Sequence, residues 1–227
     1  YQRLVYLNAV YDMALSFEHS PLVGCTTFTL KSEATSSHHT LLARNFDFEL
    51  DELFDRSKAV FFVSETGKLP YATVTWPGLI GAFSGMNLEG VAIVVHGARA
   101  GQPASRGEPV PHAMRRVLES CHSTEEAVAA LSRESPMVSH VVIVADAQDD
   151  VRVLERVPGM APFVYALGPR AVVTNHLVGP SARDPKNLQV MASTSTLARR
   201  GRGEQLLQRL APEVELQDVV ALLRERR

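Results

Sequence analysis

Short apolar runs separated by polar turns cover most of this chain, and their spacing predicts both strands and helices. The runs predicted to be strands are 25–30, 40–48, 59–64, 71–76, 79–85, 91–96, 138–145, 151–157, 162–166 and 171–174. Helical spacing of apolar residues predicts helices at 1–17, 111–121, 124–131, 194–210 and 215–224. The segment 177–187, which contains Gly179-Pro180 and Asp184-Pro185, is predicted to be a loop.

The order of these elements predicts the fold class. Strands and helices come in blocks, with turns of hairpin length between many of the strands, which favours antiparallel sheets with helices packed on them. A parallel α/β fold would alternate strictly between strand and helix. The pattern therefore predicts an α+β fold. Ser123 to Glu126 has the sequence of a capping box, so the helix after it should begin at Thr124.

Composition narrows the function classes. The 227 residues fit one large domain or two small ones, and 45% hydrophobic with 21% charged residues is typical of a globular core. The net charge of −2, without a stripe of Lys and Arg between aromatics, argues against a nucleic-acid partner. The eight histidines lack the spacing of metal ligands, so we expect no metal site.

The termini and cysteines leave the location of the protein unknown. The chain begins with Tyr1, already in a helical pattern, so we expect it to be part of a longer sequence. No apolar run approaches the ~18–20 residues that span a bilayer, but the sequence leaves open an anchor or export signal outside the given residues. Two cysteines do not define a redox compartment. A homo-oligomer is also left open.

Cys25 is the first candidate for chemistry. The simplest interpretation is a buried core residue, because free cysteine is among the most buried residue types. Gly24 before it permits a distorted backbone and an unhindered approach to its carbonyl. If the Gly24-Cys25 bond were cut, Cys25 would carry an α-amine with a pKa of ~7.7–8.0, which can act as the base for its own thiol. The sequence therefore raises the hypothesis of self-cleavage at this bond.

Arg44 and Asp47 are the next candidates. They lie three residues apart in a predicted strand, so they face opposite sides unless the chain bends. An exposed ion pair, or two unrelated surface charges, is the simpler interpretation. In the functional interpretation, Asp47 accepts a hydrogen bond from the α-ammonium of Cys25, and Arg44 favours the thiolate through its positive charge.

Four residues in the later part of the chain allow both ordinary and catalytic interpretations. Asn87 and Asn175 lie where strands end, either as turn residues or as donors to an oxyanion. Arg199 lies in a predicted helix, where arginines are usually solvated. His176 follows Cys25 in the order found in papain-like enzymes, so a Cys25/His176 thiol hydrolase is a rival mechanism, although the papain-like signature around the cysteine is absent.

Five short motifs in this order resemble those of the cysteine N-terminal-nucleophile (Ntn) hydrolases, and specifically the peptidase C45 group, the acyl-coenzyme A:6-aminopenicillanate acyltransferase-like family. The resemblance runs from about Pro21 to Leu207. The motifs are Gly-Cys-Thr-Thr-Phe from Gly24, Ala-Arg-Asn-Phe-Asp-Phe from Ala43, Gly-Met-Asn-Leu-Glu-Gly from Gly85, Thr-Asn-His from Thr174, and the segment from Thr194 to Arg199.

The resemblance implies a four-layer αββα sandwich in which Cys25 is the nucleophile. The residues to which it gives catalytic roles are Cys25, Arg44, Asp47, Asn87, Asn175 and Arg199. It also implies a propeptide at 1–24, which makes the uncut chain a zymogen, and an Ntn-hydrolase domain at 25–227. Family members usually continue past the last helix with further strands, so we expect this chain to be truncated at its C-terminus.

The implied activity is hydrolysis or transfer of an N-acyl group from a small-molecule amide through a Cys25 thioester, without a cofactor. The alternative from another class is a non-catalytic binding domain that keeps the same fold and an uncleaved Cys25. The acyl and amine groups of the substrate are not encoded in any motif of the sequence.

Overall fold

The computed structural model describes residues 8–16, 24–47 and 56–225. The strands in chain order are β1 Gly24–Leu30, β2 Leu41–Asp47, β3 Ala59–Val63, β4 Tyr71–Thr75, β5 Ser84–Asn87, β6 Ala92–Gly97, β7 His140–Ala145, β8 Val151–Arg156, β9 Phe163–Ala166 and β10 Arg170–Val173. The helices are α1 Val10–Ser16, α2 Val110–Ser120, α3 Thr124–Ser132, α4 Pro185–Ser193, α5 Thr196–Arg209 and α6 Leu216–Arg224. Short 3₁₀ turns lie at Ser32–Ala34 and Pro180–Arg183.

The described strands form two antiparallel sheets of unequal size. The smaller sheet has the order β10-β1-β2, and the larger has the order β3-β4-β5-β6-β7-β8-β9. Neighbours in the larger sheet are neighbours in sequence, whereas β1 pairs with β10 from the far end of the chain. The segment that follows β10 is therefore carried to the strand that contains Cys25.

Three apolar clusters separate four layers. Ile93 and Val95 on β6 pack towards α2 and α3, in a cluster that includes Met114. Val94, on the opposite face of β6, packs with Val173 in a cluster between the two sheets. The outer face of the small sheet packs on α5 and α6 through the cluster of Phe28, Leu30, Val172, Leu207, Val219 and Leu222. The predicted α+β fold with an αββα sandwich of two antiparallel sheets is confirmed.

Sequence-based prediction of individual elements succeeded where the apolar pattern was continuous. All six residues of β7 are buried, as expected for a strand covered on both faces. Ser123 caps α3 as predicted, because its hydroxyl accepts from the Glu126 N–H at 3.2 Å. The Glu126 carboxylate reaches back to the His122 N–H, one residue before the position that a capping box uses.

Two predicted elements were wrong. The strand predicted at 79–85 is β5, which begins only at Ser84 and continues to Asn87. The loop predicted at 177–187 contains the start of α4, whose cap is Asp184 and whose first residue is Pro185. An Asp-Pro pair is typical of turns, but it also places a side-chain acceptor and a preset φ at a helix start. The Asp184 carboxylate does accept from the Lys186 N–H at 2.9 Å.

The N-terminal helix packs against the end of the large sheet. Of the predicted helix 1–17, α1 accounts for Val10–Ser16, and residues 1–7 and 17 lie outside the described residues. Tyr11 and Leu15 are buried, and the Tyr11 ring centroid lies 4.8 Å from that of Phe83. The Asp12 carboxylate accepts from the Val110 N–H at the start of α2. The helix is therefore held by both apolar and polar contacts.

The contact between α5 and the small sheet depends on a glycine. A Cβ placed on Gly203 would lie 2.9 Å from a methyl group of Val172 on β10, closer than real side chains approach. Glycine at this position lets α5 lie directly against β10. The first turn of α5 is thereby brought within reach of β1.

Candidate active site

Cys25 is the second residue of β1 and is fully buried. Arg44 Nη2 donates to its sulfur at 3.3 Å, across the β1–β2 pair. The other cysteine of the chain, Cys121, is also buried and free, but its sulfur has a hydroxyl neighbour, Ser120 Oγ, at 3.9 Å. Cys121 is an ordinary core cysteine, whereas Cys25 has a guanidinium on its sulfur.

The Arg44 guanidinium is held in place by groups from the large sheet. Its Nη1 donates to Ser84 Oγ at 2.7 Å and to the carbonyl of Phe83 at 3.3 Å, and Nη2 donates to the carbonyl of Val95. The Phe46 ring lies under the guanidinium, with its centroid 4.1 Å from Arg44 Cζ, in a cation–π arrangement. With so many fixed partners, the positive charge next to the Cys25 sulfur has one orientation.

Two further side chains contact the backbone of Cys25. The Cys25 N–H donates to Asn175 Oδ1 at 2.7 Å. Arg199 Nη1 donates to the carbonyl of Cys25 and to Thr26 Oγ1, the latter at 3.0 Å. Arg199 Nη2 also donates to Asn175 Oδ1 at 2.9 Å, so the same oxygen receives the Cys25 nitrogen and a guanidinium.

Thr196 is a site residue that the sequence analysis did not identify. It lies in the first turn of α5, three residues before Arg199, and it is fully buried. Its hydroxyl accepts from the Asn175 N–H at 3.0 Å and therefore fixes the backbone of Asn175. The spacing of three places both side chains on one helix face, and this spacing is a signal from which Thr196 could have been found.

Asp47 lies at the predicted cleavage site rather than at the sulfur. It is directly opposite Gly24 in the β1–β2 register, and its Oδ2 would lie 3.8 Å from a Cβ on Gly24. The acceptor that the structure places on the Cys25 nitrogen is Asn175 Oδ1, whereas the sequence analysis gave this role to Asp47. Asp47 faces the side of the strand opposite the Cys25 thiol, as the spacing from Arg44 predicted.

The structure does not bring Asn87 to Cys25. Its side-chain amide donates to the carbonyls of Cys121 at 2.8 Å and Leu118 at 3.2 Å, and its Oδ1 accepts from the Val91 N–H at 3.0 Å. Asn87 also lies three residues beyond Ser84 along β5, roughly 10 Å from the strand position that contacts Arg44. The structure therefore corrects the oxyanion role predicted for Asn87, because its amide binds the carbonyls at the end of α2 instead.

His176 lies on the other side of Asn175 from the nucleophile. Its Nδ1 bonds to Thr174 Oγ1 at 3.2 Å and to Thr196 Oγ1 at 3.1 Å, and its Nε2 bonds to Arg200 at 3.3 Å. It lines a separate cavity of about 440 Å³. Burial, together with the positive charge of Arg200, lowers the pKa of His176. Within the described part of the chain, the geometry gives no support to a papain-like Cys25/His176 pair.

A cavity of about 1090 Å³ lies next to Arg44, between β2 and the β3–β6 half of the large sheet. Three aromatic rings that pack on one another, Phe46, Trp76 and Phe83, line it beside the guanidinium. Farther from Arg44 its wall is the apolar face of the sheet, formed by Val60, Ala72, Val74, Met86, Ala92 and Val94. The cavity can hold an apolar group with one end at the Arg44 guanidinium, which contacts the Cys25 sulfur.

The described residues contain no cluster of three or more His, Cys, Asp or Glu side chains with the geometry to bind a metal ion. Within the same residues, no helix has the length and apolar character that crossing a bilayer requires. The groups that the structure places on the atoms of Cys25 are the two guanidiniums of Arg44 and Arg199 and the Asn175 amide.

The fold and the site define a class of protein, and solved structures share the fold. An N-acylethanolamine-hydrolyzing acid amidase ortholog from Caenorhabditis elegans matches with a TM-score of 0.68 and 22% identity, over 88% of this chain and 86% of that one. A variant of conjugated bile acid hydrolase from Clostridium perfringens matches with a TM-score of 0.62 and 13% identity, over 88% and 78%. Penicillin V acylase from Agrobacterium tumefaciens matches with a TM-score of 0.56 and 18% identity, over 88% and 71%. The chain has the Ntn-hydrolase fold.

The sequence family is also shown. Residues 34–227 match the family model described as acyl-coenzyme A:6-aminopenicillanic acid acyl-transferase, and the chain belongs to this family. A search of curated proteins found no match. The family resemblance inferred from the five motifs is therefore confirmed, and so is an enzyme class of amide hydrolysis or acyl transfer at the level of the family. The matched residues begin after Cys25, so the nucleophile rests on the geometry described above.

Proposed function

We propose that this protein is a self-processing cysteine amidohydrolase or acyltransferase, in which Cys25 becomes an N-terminal nucleophile. The observation that carries the proposal is the set of contacts on Cys25. Arg44 contacts its sulfur, Asn175 its nitrogen and Arg199 its carbonyl oxygen. All three groups are side chains from distant parts of the chain, and two of them are guanidiniums. Cys121 differs, because its nitrogen donates to a backbone carbonyl of its own helix, its carbonyl accepts from the Asn87 amide, and its sulfur has only the hydroxyl of its chain neighbour Ser120 nearby.

In the uncut chain, the Cys25 sulfur attacks the carbonyl carbon of Gly24. The bond between that carbon and the Cys25 nitrogen breaks, the nitrogen leaves as an amine, and a thioester joins Gly24 to the sulfur. Water then hydrolyses the thioester, which gives a Gly24 carboxylate and a free thiol on Cys25. Asp47 lies opposite Gly24, where its carboxylate can orient the chain before the cut. The residues from Cys25 onwards then number 227 − 24 = 203.

In the mature chain, the same thiol attacks the carbonyl of an amide substrate. The α-amine of Cys25 takes the thiol proton and later gives it to the leaving amine. Arg44 stabilises the thiolate, while Asn175 and nearby backbone N–H groups stabilise the oxyanion. Arg199 donates to both the Cys25 carbonyl and Asn175 Oδ1, and so fixes their relative positions. Water resolves the acyl-enzyme in hydrolysis, and a second amine resolves it in acyl transfer.

The cavity next to Arg44 favours an N-acyl amide with an apolar acyl group. Its aromatic wall lies beside the guanidinium, and the sheet face beyond it carries aliphatic side chains. Burial of such surface is worth about 25 cal/mol per Å² of acyl group removed from water. The fold neighbours include proteins named for the hydrolysis of N-acylethanolamines and conjugated bile acids, and both names describe amides.

Self-cleavage is tested by intact-mass analysis of the wild type, Cys25→Ala and the matched control Cys121→Ala. We expect the wild type and Cys121→Ala to lose every residue before Cys25, and Cys25→Ala to stay at full length. A panel of N-acyl amides, assayed for release of free amine, then tests catalysis, with Cys25→Ala inactive. Addition of a competing amine separates hydrolysis from acyl transfer, since only transfer gives a new amide.

Two results would reject this proposal. A wild type that folds and stays at full length would rule out self-cleavage and favour the non-catalytic binding domain. Amide hydrolysis that persists in Cys25→Ala would rule out Cys25 as the nucleophile.

A further inference from the structure

His96 is the last residue but one of β6, just before Gly97, and is fully buried between the two sheets. Its Nε2 lies 2.6 Å from Thr27 Oγ1, on β1 of the small sheet. Its Nδ1 lies 3.0 Å from the carbonyl oxygen of Thr174, just after β10. One imidazole therefore joins three backbone segments that are far apart in sequence.

The contacts determine which ring nitrogen carries the proton. A carbonyl oxygen can only accept, so the N–H is on Nδ1 and points at Thr174. Nε2 is then the acceptor, and the Thr27 hydroxyl donates to it. Burial, with the positive charge of Arg44 as the second cause, lowers the pKa of His96 to about 3, so the ring stays neutral at ordinary pH. The two hydrogen bonds of the His96 ring therefore run in one direction, from the Thr27 hydroxyl to Nε2 and from Nδ1 to the Thr174 carbonyl.

Both partners of His96 are adjacent to the nucleophile. Thr27 is two residues after Cys25 on the same strand, so the two side chains share a face. Thr174 immediately precedes Asn175, whose Oδ1 accepts from the Cys25 nitrogen. The Asn175 amide also donates to the carbonyl of Gly97, the residue after His96. The imidazole thus joins the strand of the thiol to the segment that holds its nitrogen.

We propose that His96 is a positioning residue for Cys25, which sets the distance between the nucleophile strand and Asn175 by bridging Thr27 and Thr174. The inference rests on the proposed function and adds to it a group that does not touch the substrate. The motifs that suggested the family do not contain His96. Its role follows from the space between the sheets, where a single polar ring reaches both segments.

The chain offers a matched comparison in His140. This residue is also a fully buried histidine with a pKa lowered to about 3, mainly by burial, and it lies on the adjacent strand opposite Gly97. Because it pairs with Gly97 and not with His96, its side chain lies on the other face of the sheet. Its ring bonds to the Val138 carbonyl and to Arg156. Loss of His140 damages the core to a similar degree but leaves the segments around Cys25 joined.

The experiment compares His96→Leu with His140→Leu in the full chain, at a temperature where both are folded by circular dichroism. We expect His96→Leu to lower both the rate of Gly24-Cys25 cleavage and kcat by about 10- to 100-fold, as misplacement of reacting groups does. KM for an N-acyl amide should change little, because the cavity is untouched. We expect His140→Leu to lower the melting temperature without this loss of kcat.

A double-mutant cycle tests the Thr27 side of the bridge. If His96 acts through the Thr27 hydroxyl, Thr27→Val combined with His96→Leu should be no slower than His96→Leu alone. Fully additive losses in kcat would overturn this part of the proposal. An equal loss of kcat in His96→Leu and His140→Leu would overturn the whole, since it would indicate a general effect on the core.

A readout without catalysis keeps this inference separate from the proposed function. ¹H–¹⁵N NMR should show His96 as the neutral Nδ1–H tautomer, and the side-chain amide signal of Asn175 should shift in His96→Leu but not in His140→Leu. An inactive, uncut wild type would reject the proposed function, and these signals would still decide whether His96 positions Asn175. An Nε2–H tautomer, or unchanged Asn175 signals, would overturn it.

Discussion

Cys25 is distinguished from an ordinary core cysteine by the contacts it receives and not by its exposure. Both cysteines of the chain are buried, so burial alone does not separate a nucleophile from a packing residue. The guanidinium on the Cys25 sulfur comes from Arg44, nineteen positions along, and the acceptor on its nitrogen comes from Asn175, 150 positions along. Polar groups that come from such distant parts of the chain and meet on one cysteine indicate a functional site.

The two asparagines proposed as oxyanion donors are expected to behave differently. Asn175→Ala removes the acceptor on the Cys25 nitrogen and also the amide N–H that we propose as an oxyanion donor, so it should lower kcat by about 10²- to 10³-fold. Asn87→Ala leaves the buried carbonyls of Leu118 and Cys121 without a donor and should lower the free energy of unfolding by about 1–3 kcal/mol. Its kcat should not change.

These outcomes are measured by steady-state kinetics and urea unfolding of both variants. A large loss of kcat in folded Asn87→Ala would restore the oxyanion role that the sequence motif suggested. A normal kcat in Asn175→Ala would instead remove Asn175 from the site.

At the scale of elements, α1 links the proposed propeptide to the site. Tyr11 packs on Phe83, which is also a wall of the cavity and a carbonyl partner of Arg44. The Tyr11 hydroxyl is buried and has no hydrogen-bond partner among the described residues. Burial, followed by the electrostatic interaction with Cys25, raises the pKa of Tyr11. In the uncut chain, α1 therefore covers the end of the site.

Asp12 makes the packing of α1 dependent on pH. Burial raises the pKa of Asp12 to about 7, against the opposing effect of the Val110 N–H. A carboxyl with a raised pKa in the folded state binds its proton more tightly there than when unfolded. Its contribution to stability is fully present below about pH 4 and is lost as the pH rises through about 7.

Asp12→Asn should remove this contribution, because an amide does not titrate in this range. In a Cys25→Ala background that keeps α1 attached, we expect the melting temperature of Asp12→Asn relative to its parent to rise between pH 5 and pH 8. Glu125→Gln, which makes the same change at an exposed position of α3, is the control and should show no such trend. Parallel melting curves for Asp12→Asn and its parent at every pH would contradict the assignment.

At the scale of the whole molecule, the unequal sheets create the cavity. Among the described strands, three face seven, so the β3–β5 part of the large sheet extends beyond the small one and leaves apolar side chains exposed. Phe62 on β3 is 85% exposed, and Val60, Val74 and Met86 are also exposed. The aliphatic wall of the cavity belongs to this same sheet face. Substrate binding is therefore expected to depend on acyl length.

Ala72→Trp tests this expectation by filling the cavity on β4, between Phe62 and Met86 in the strand register. We expect kcat/KM for long acyl chains to fall by about tenfold or more, while short chains such as acetyl amides are little affected. Ala166→Trp makes the same change on an exposed position of β9, away from the cavity, and serves as the control. Equal losses for short and long chains would place the acyl group elsewhere.

The sequence by itself determined the fold class and the family. Of its six candidate site residues, four are joined by hydrogen bonds in the structure: Cys25, Arg44, Asn175 and Arg199. Their motifs lie at strand ends or helix starts, where local pattern and chemistry coincide. Asp47 lies opposite Gly24 in the strand register, whereas the sequence analysis predicted a contact with the Cys25 nitrogen. Local patterns succeed here because apolar spacing records which face of an element is buried.

Only the tertiary structure decided which polar groups meet. Asn87 has the motif of a site residue, but the register of β5 carries its amide to the end of α2. Thr196 and His96 have no distinctive motif, yet the pairing of β1 with β10 and the packing of the sheets bring them to Asn175 and to Thr27. The Gly24-Cys25 junction could be identified from the sequence alone. The partners of the Cys25 nitrogen and carbonyl oxygen come from more than a hundred residues away, and the partner of its sulfur comes from the paired strand, which local pattern does not encode.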